Sequence, residues 1–240
     1  PELFLAGLAI AALEGVRALP ALATAAGRRA ALPWLAVVLA ALFPLGYTLL
    51  AAPPLYNGIR HFTFLLPALA VIAGAGMAAA WRRLQQGPTA LRRVALVACA
   101  AAVLAHASVL VRLHPYEYLA YNSFAGGAGG SAGRWEQDYW ASSVREAVHS
   151  LNAFVAREQT AGAHYTVAVC AEALQAEGWL APGLAVTRDW WRADFFIAPT
   201  HMDCDGALQG AEVARVERAG STLAVGKDRR ALAGEARRPR

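Results

Sequence analysis

Long apolar runs fill the first half of the chain, and short, punctuated ones fill the second. Four long runs lie near Leu3 to Leu22, Leu32 to Ala52, Phe62 to Trp81 and Val94 to Leu113. Each has about the 20 residues that a helix needs to cross roughly 30 Å of hydrocarbon, so the pattern predicts four transmembrane spans. The first run is interrupted by Glu14 and Arg17, each of which costs on the order of 3 kcal/mol at mid-bilayer if unpaired. Their i,i+3 spacing lets them pair on one face, and Arg17 can snorkel toward the nearer surface. Basic residues occupy alternate loops: Arg28 and Arg29 before the second run, then Arg82, Arg83, Arg92 and Arg93 between the third and fourth. The positive-inside bias assigns those loops to the cytoplasm. The Ala51 to His61 loop and everything after Leu113 are then expected on the outer side.

After Leu113 the period changes. Ser143, followed three residues later by Glu146, reads as a capping box. Val144, Ala147, Val148, Leu151, Phe154 and Val155 form one apolar stripe at helical spacing, which predicts a helix ending near Gly162. Tyr165 to Ala171 and Phe195 to Ala198 read as buried strands, and Glu212 to Arg218 with Thr222 to Lys227 as a terminal hairpin. One helix stripe and several buried strands need each other to hide, so residues 143–230 are expected to form a small α/β domain. From Ala231 onward, through Arg237, Arg238 and Arg240, nothing remains to bury and disorder is expected. The fold class read from the sequence is therefore mostly α: a transmembrane bundle over residues 1–113, an interfacial loop over 114–142, and an extracytoplasmic α/β domain.

Composition sharpens this division. Hydrophobic residues make up 57% of the chain and charged ones 16%, against roughly 25% charged in an average soluble domain. Residues 1–113 carry almost no charge outside the basic clusters, whereas the remainder is ordinary soluble sequence. The chain opens on Pro1 with no signal-peptide pattern, which reads as the C-terminal piece of a longer protein. The Ala- and Arg-rich composition fits a bacterial source, so the outer side would be the periplasm. Net charge is +5, but the arginines sit at the ends of apolar runs. That arrangement reports topology, and it lacks the basic face interleaved with aromatics that would argue for a nucleic-acid partner. Cys99 lies in an apolar run, where it is read as a small packing residue. Cys170 and Cys204 fall in the soluble part and become a candidate disulfide if that part is exported.

Candidate chemistry concentrates in two places. The loop Tyr56, Asn57, Gly58, Ile59, Arg60, His61 puts an arginine at the expected outer face, where a guanidinium's paired donors suit a lipid-linked phosphate. His61 adds a donor, and Tyr56 and Asn57 suit sugar hydroxyls. The second place is His114 to Ala147, where Tyr116, Tyr118, Tyr121, Trp135, Tyr139 and Trp140 lie among Glu117, Asn122, Arg134, Glu136 and Asp138. The Gly126 to Gly133 run within it is too glycine-rich for helix or strand. It lacks the Lys-Ser/Thr that a phosphate-binding loop requires. In this stretch Arg134 is expected to pair with a carboxylate, with Glu136 or Asp138 holding the loop. His201, Asp203, Cys204 and Asp205 resemble a metal cluster only superficially. No cofactor is assigned, and a divalent metal is left open.

Together, YNGIRHFTFLLPALAVIAGAG and HPYEYLAYNSFAGGAGGSAGRWEQDYWASSVREAVHSLN resemble the C-terminal half of bacterial polytopic glycosyltransferases. These are the C-superfamily membrane enzymes similar to protein O-mannosyltransferases and to the aminoarabinose transferase of lipid A. The resemblance covers residues 1 to about 152, and VARVERAGSTLAVGKDRR more loosely. Asn57 stands where the family more often has Asp. The resemblance implies transfer of a sugar from a polyprenyl-phosphate donor to a protein or lipid acceptor at the outer face of the bacterial inner membrane, normally with inversion. The resemblance implies that the catalytic base is an acidic residue in the first extracytoplasmic loop, near the family's N-terminus, so no catalytic residue is assigned within this chain. It implies that Arg60 and His61, with Tyr56 and Asn57, meet the donor phosphate and sugar. Glu117, Tyr121, Asn122, Arg134, Glu136, Asp138, Tyr139 and Trp140 would shape the cavity rim.

The alternative is a non-catalytic membrane protein, either a transport component or an anchored extracytoplasmic sensing domain. Inverted repeats and mid-membrane helix breaks, which a transporter should show, are not found in the sequence.

Overall fold

Among the described residues, four helices are long and apolar enough to cross a membrane, the pattern of a multi-pass membrane protein: Glu2–Ala23, Ala25–Ala51, Ile59–Gln85 and Thr89–Leu113. The structure, a computed structural model, describes residues 2–55, 59–158 and 162–236. It divides into two units, Pro1–Ser108 and Val109–Arg240.

In the first unit, α1 (Glu2–Ala18) packs along α3 (Leu66–Gln85). The approach is close: a Cβ on Gly7 would meet the Ala73 carbonyl oxygen at 2.6 Å, and one on Gly76 would meet the Gly7 oxygen at 2.1 Å. Small residues are what allow helix backbones to meet this way in an apolar medium. The expected Glu14–Arg17 pair forms at 2.8 Å, and Arg83 adds a second contact to Glu14 at 2.6 Å. α2 (Ala25–Ala51) begins seven residues before the predicted span, because the Thr24 hydroxyl accepts from the Gly27 N–H at 3.0 Å and caps it there. Arg28 and Arg29 therefore sit in its first turns. Likewise Arg82 and Arg83 belong to the last turn of α3, and Arg92 and Arg93 to the start of α4 (Thr89–Leu113).

The second unit is built on a five-stranded sheet ordered β2-β1-β3-β5-β4. Its strands are β1 (Tyr165–Val169), β2 (Leu184–Val186), β3 (Phe195–Pro199), β4 (Ala211–Arg218) and β5 (Ser221–Asp228). β2, β1 and β3 run parallel, whereas β5 is antiparallel to both β3 and β4. One face packs on α6 (Val144–Arg157), whose Val144, Ala147, Val148 and Leu151 are buried against Val167, Phe195, Ile197 and Leu223. The last residues of α4 and the following segment join this core through Leu113, Tyr116 and Leu119. The other face buries Ala168, Phe196, Ala198 and Val225 beneath Leu208 and Trp190.

Several elements depart from the sequence reading. The glycine run is not wholly irregular: Gly127–Ser131 forms one helical turn, α5, entered through left-handed Gly126 and Gly127. The capping box does not form, since Ser143 has helical backbone (φ −73°, ψ −14°) and no side-chain cap. α6 stops at Arg157, and residues 159–161 lie outside the described part. A short helix, α7 (Leu174–Glu177), and strand β2 were not anticipated. The C-terminus continues past Ala231 as α8 (Arg230–Ala236), with Ala233 fully buried, so residues 231–236 correct the expectation of disorder. Two arginines supply the reason. Arg229 is buried and donates to the Trp190 and Gln209 carbonyls at 2.6 and 2.9 Å. Arg230 grips both Glu158 oxygens at 2.6 and 2.7 Å and Asp228 at 2.6 Å.

Candidate functional site

The segment from His114 to Ser143 is fixed by a few buried polar groups. Tyr116 is 3% exposed and donates to Glu146 at 2.9 Å. Glu146 also receives Arg218 at 2.7 Å, and that guanidinium lies 5.3 Å from the Tyr116 ring centre. Burial, reinforced by the Glu146 carboxylate, pushes the Tyr116 phenol well above its ordinary range, so it stays a donor. Asp138 is fully buried and accepts from the Tyr118 and Ser143 hydroxyls and from the N–H groups of Ser142 (2.9 Å) and Ser143 (3.3 Å). Two non-glycine residues of this turn, Asp138 (φ 46°) and Ala141 (φ 52°), hold left-handed backbone, a conformation that persists only when its surroundings impose it. Gln137 donates to the Ala128 carbonyl at 2.8 Å and to Ser131 Oγ at 2.7 Å, and it accepts from the Ser221 hydroxyl, tying α5 to the hairpin.

Upon this frame sits Glu136. Its backbone carbonyl accepts from the Tyr121 hydroxyl at 2.7 Å, and its Oε1 accepts from His201 Nδ1 at 2.5 Å and from the Met202 N–H at 3.0 Å. His201 opens a 3-10 turn, His201–Gly206, that follows the C-terminal end of β3. Met202 (φ 54°) and Asp203 (φ 55°) are both left-handed there. The turn is tethered by a disulfide between Cys204 and Cys170, which follows β1, with Cα atoms 6.2 Å apart.

Between the Ala132–Gln137 segment, this turn and the hairpin residues Gly220 and Thr222 lies an open cleft of about 430 Å³. Its polar lining includes Arg134, Glu136, Asp203, Asp205, Thr200 and Thr222, and Trp135 stands beside them 55% exposed. Three carboxylates face one guanidinium, which favours a hydroxyl-rich or cationic ligand over an anionic one. Of the Glu136–His201 pair, the carboxylate is the member that lines the cleft, and the imidazole holds it in place. An exposed indole with hydroxyls and carboxylates around it is also a surface on which a sugar ring can stack and be oriented.

The anticipated residues are distributed unevenly. Of the eight assigned to a cavity rim, Arg134 and Glu136 line this cleft. Arg134 does not make the ion pair expected of it with any described carboxylate; Glu136 is taken by His201 and Asp138 by hydroxyls and N–H groups. Asp138 lies sealed beneath the surface and holds the loop, so it is not a rim residue. Tyr121 supports Glu136 from behind, and Asn122 Oδ1 accepts from the Ala125 N–H at 3.0 Å to close a turn. Tyr139 packs edge-on to Tyr118 at 5.4 Å, while the Trp140 carbonyl accepts from Gln175 at 2.9 Å. Glu117 pairs with His114 at 2.6 Å, and that hydrogen bond holds its carboxyl below the usual range. Arg60 and His61 belong to the first unit, in the 3-10 segment Ile59–Leu65. Tyr56 and Asn57 lie outside the described residues. No group of three His, Cys, Asp or Glu among the described residues is placed to hold a metal ion.

His201, read from the sequence only as part of a superficially metal-like cluster, stands out in the structure as the partner of Glu136. The usable signal was its position just after a buried strand, since loops beyond the carboxyl ends of parallel strands are where open α/β sheets place ligands. Comparison with protein-family models, with curated proteins and with solved structures finds no match.

Proposed function

We propose that this chain is part of an integral-membrane glycosyltransferase that moves a sugar from a polyprenyl-phosphate donor to a protein or lipid acceptor. The transfer would take place at the outer face of a bacterial inner membrane. The observation that carries this reading is the cleft, where Trp135 stands exposed beside the Glu136–His201 pair and the hydroxyls of Thr200 and Thr222. Its excess of carboxylates weighs against the donor phosphate and suits sugar or acceptor hydroxyls. The phosphate is accordingly assigned to the Arg60 and His61 loop.

Transfer from a polyprenyl-phosphate sugar, normalised to folded full-length protein, tests both assignments. Arg60→Ala removes a charge-assisted contact worth roughly 1.5 to 3 kcal/mol, so turnover should fall about tenfold to a hundredfold. Arg60→Lys should recover only part, because the paired donor geometry is gone. Trp135→Ala should raise the KM for the acceptor or sugar with little change in protein amount. Unchanged kinetics in both Arg60→Ala and Trp135→Ala would remove these sites from the reaction.

The disulfide supports an extracytoplasmic second unit, since such bonds persist in oxidising compartments. Alkaline phosphatase fused after Thr187 is therefore expected to be active, and a fusion in the Arg82 to Arg93 region inactive. The reverse pattern would invert the topology.

A second reading, an anchored sensing domain, is favoured by one fact: Val109–Arg240 is a compact unit with its own core. Saturable sugar binding at the cleft with no transfer by the whole protein would select it.

A further inference from the structure

A second cavity lies in the first unit, between α1, the 3-10 turn Leu19–Ala23, α2 and α3, with a volume of about 570 Å³. Its wall is apolar, built from Ala11, Gly15, Leu22, Trp34, Val38 and Ile72 among others, and its charged lining residues are Glu14 and Arg82. Around these stand Arg17 and Arg83, both paired with Glu14, and Arg28, which donates to the Leu22 and Ala23 carbonyls at 3.0 and 3.1 Å. Four arginines against one carboxylate leave this end with three uncompensated positive charges. Arg82 differs from the other three in having no partner among the described residues, and it is exposed at the last turn of α3.

An apolar groove among membrane-length helices with a cationic mouth suits a ligand with a hydrocarbon tail and an anionic head. We propose that this groove holds an anionic glycerophospholipid, its acyl chain between α1, α2 and α3 and its phosphate on Arg82. The arginine-bearing end is the one that the positive-inside bias assigns to the cytoplasm, and the cytoplasmic leaflet is where anionic lipids supply negative surface charge. Glu14 pairs with both Arg17 and Arg83, and neither arginine lines the groove. This site is independent of the cleft in the second unit and does not rest on the proposed transferase activity.

The test uses the whole chain in nanodiscs containing equal amounts of phosphatidylglycerol and phosphatidylcholine, with retained lipid read by native mass spectrometry. Phosphatidylglycerol should be retained about tenfold over phosphatidylcholine, the scale of one charge-assisted contact. Arg82→Ala should bring the ratio close to one, and Arg82→Lys should keep most of the preference. Gly15→Leu probes the tail: a Cβ there meets nothing within 4 Å, so the larger side chain should enter the groove and lower retention of both lipids. Circular dichroism checks that each variant keeps its helices. Equal retention of the two lipids by the unaltered chain would overturn the proposal. So would a preference that neither Arg82→Ala nor Gly15→Leu alters, or displacement of phosphatidylglycerol by an equimolar long-chain isoprenyl phosphate.

Discussion

Asp138→Ala should destabilise the second unit by about 3 to 5 kcal/mol, because it strips the acceptor from four donors at once. The Tyr118 and Ser143 hydroxyls and the Ser142 and Ser143 N–H groups all converge on this carboxylate. Alanine also tolerates the left-handed backbone at φ 46° poorly. Asp138→Asn keeps one acceptor oxygen and suits that backbone better, so its loss should be roughly half as large. A pH series separates charge from hydrogen bonding. Burial raises the Asp138 carboxyl above its ordinary value near 3.8, outweighing the hydrogen bonds that pull it down. The folded state then binds a proton that the unfolded state has already released. The stabilisation from that proton is complete below the ordinary value and is lost as pH rises through the raised one. Denaturant unfolding of the parent should therefore show stability falling across that window on going toward neutrality, relative to Asp138→Asn. Equal pH profiles in the two proteins would mean that Asp138 titrates as an ordinary carboxyl.

The disulfide should carry a comparable effect. Cys170 and Cys204 close a loop with a sequence separation of 34, for which the chain-entropy model gives about 4 kcal/mol. For a unit of this size, that corresponds to a fall of about 10 to 15 °C in unfolding midpoint. Cys204→Ser, or reduction of the parent, should produce it in thermal unfolding followed by tryptophan fluorescence. The same change should loosen the turn that brings His201 to Glu136, so hydrogen exchange at Met202 should rise ahead of global unfolding. A midpoint indifferent to reductant, with both thiols shown to be free, would contradict this.

These two sites also mark what the sequence could and could not disclose. The four apolar runs were legible by their length and composition, the α6 stripe by its helical period, and the strands at Tyr165 and Phe195 as short continuous apolar runs. β2 escaped because Leu184–Val186 is too short for any period to register. The spacing of Ser143 and Glu146 was right for a cap, but tertiary partners claimed both side chains: Asp138 took the Ser143 hydroxyl, and Tyr116 and Arg218 took Glu146. The candidate site was half legible. Arg134, Trp135 and Glu136 stood out as a cluster, whereas the Glu136–His201 pair joins residues 65 apart along the chain. Only the crossing of β3 beside β5 brings the two together, and no local pattern encodes that.

The sheet order carries one more consequence, for the timing of maturation. β5 is the last strand in the chain, yet it lies inside the sheet between β3 and β4. Until residues 221–228 leave the ribosome, β3 presents an unpaired edge of Phe195, Phe196 and Ile197, all fully buried in the finished unit. Such an edge invites pairing with other chains. Cys170 and Cys204 both emerge before β5, so oxidation can hold β1 near the turn after β3 during that interval. The hairpin that arrives last seals the sheet at Asp228, and Arg229 and Arg230 then lock it from behind. A ribosome stalled or a chain cut before Ser221 would leave a sticky intermediate that folding factors or proteases must hold or remove.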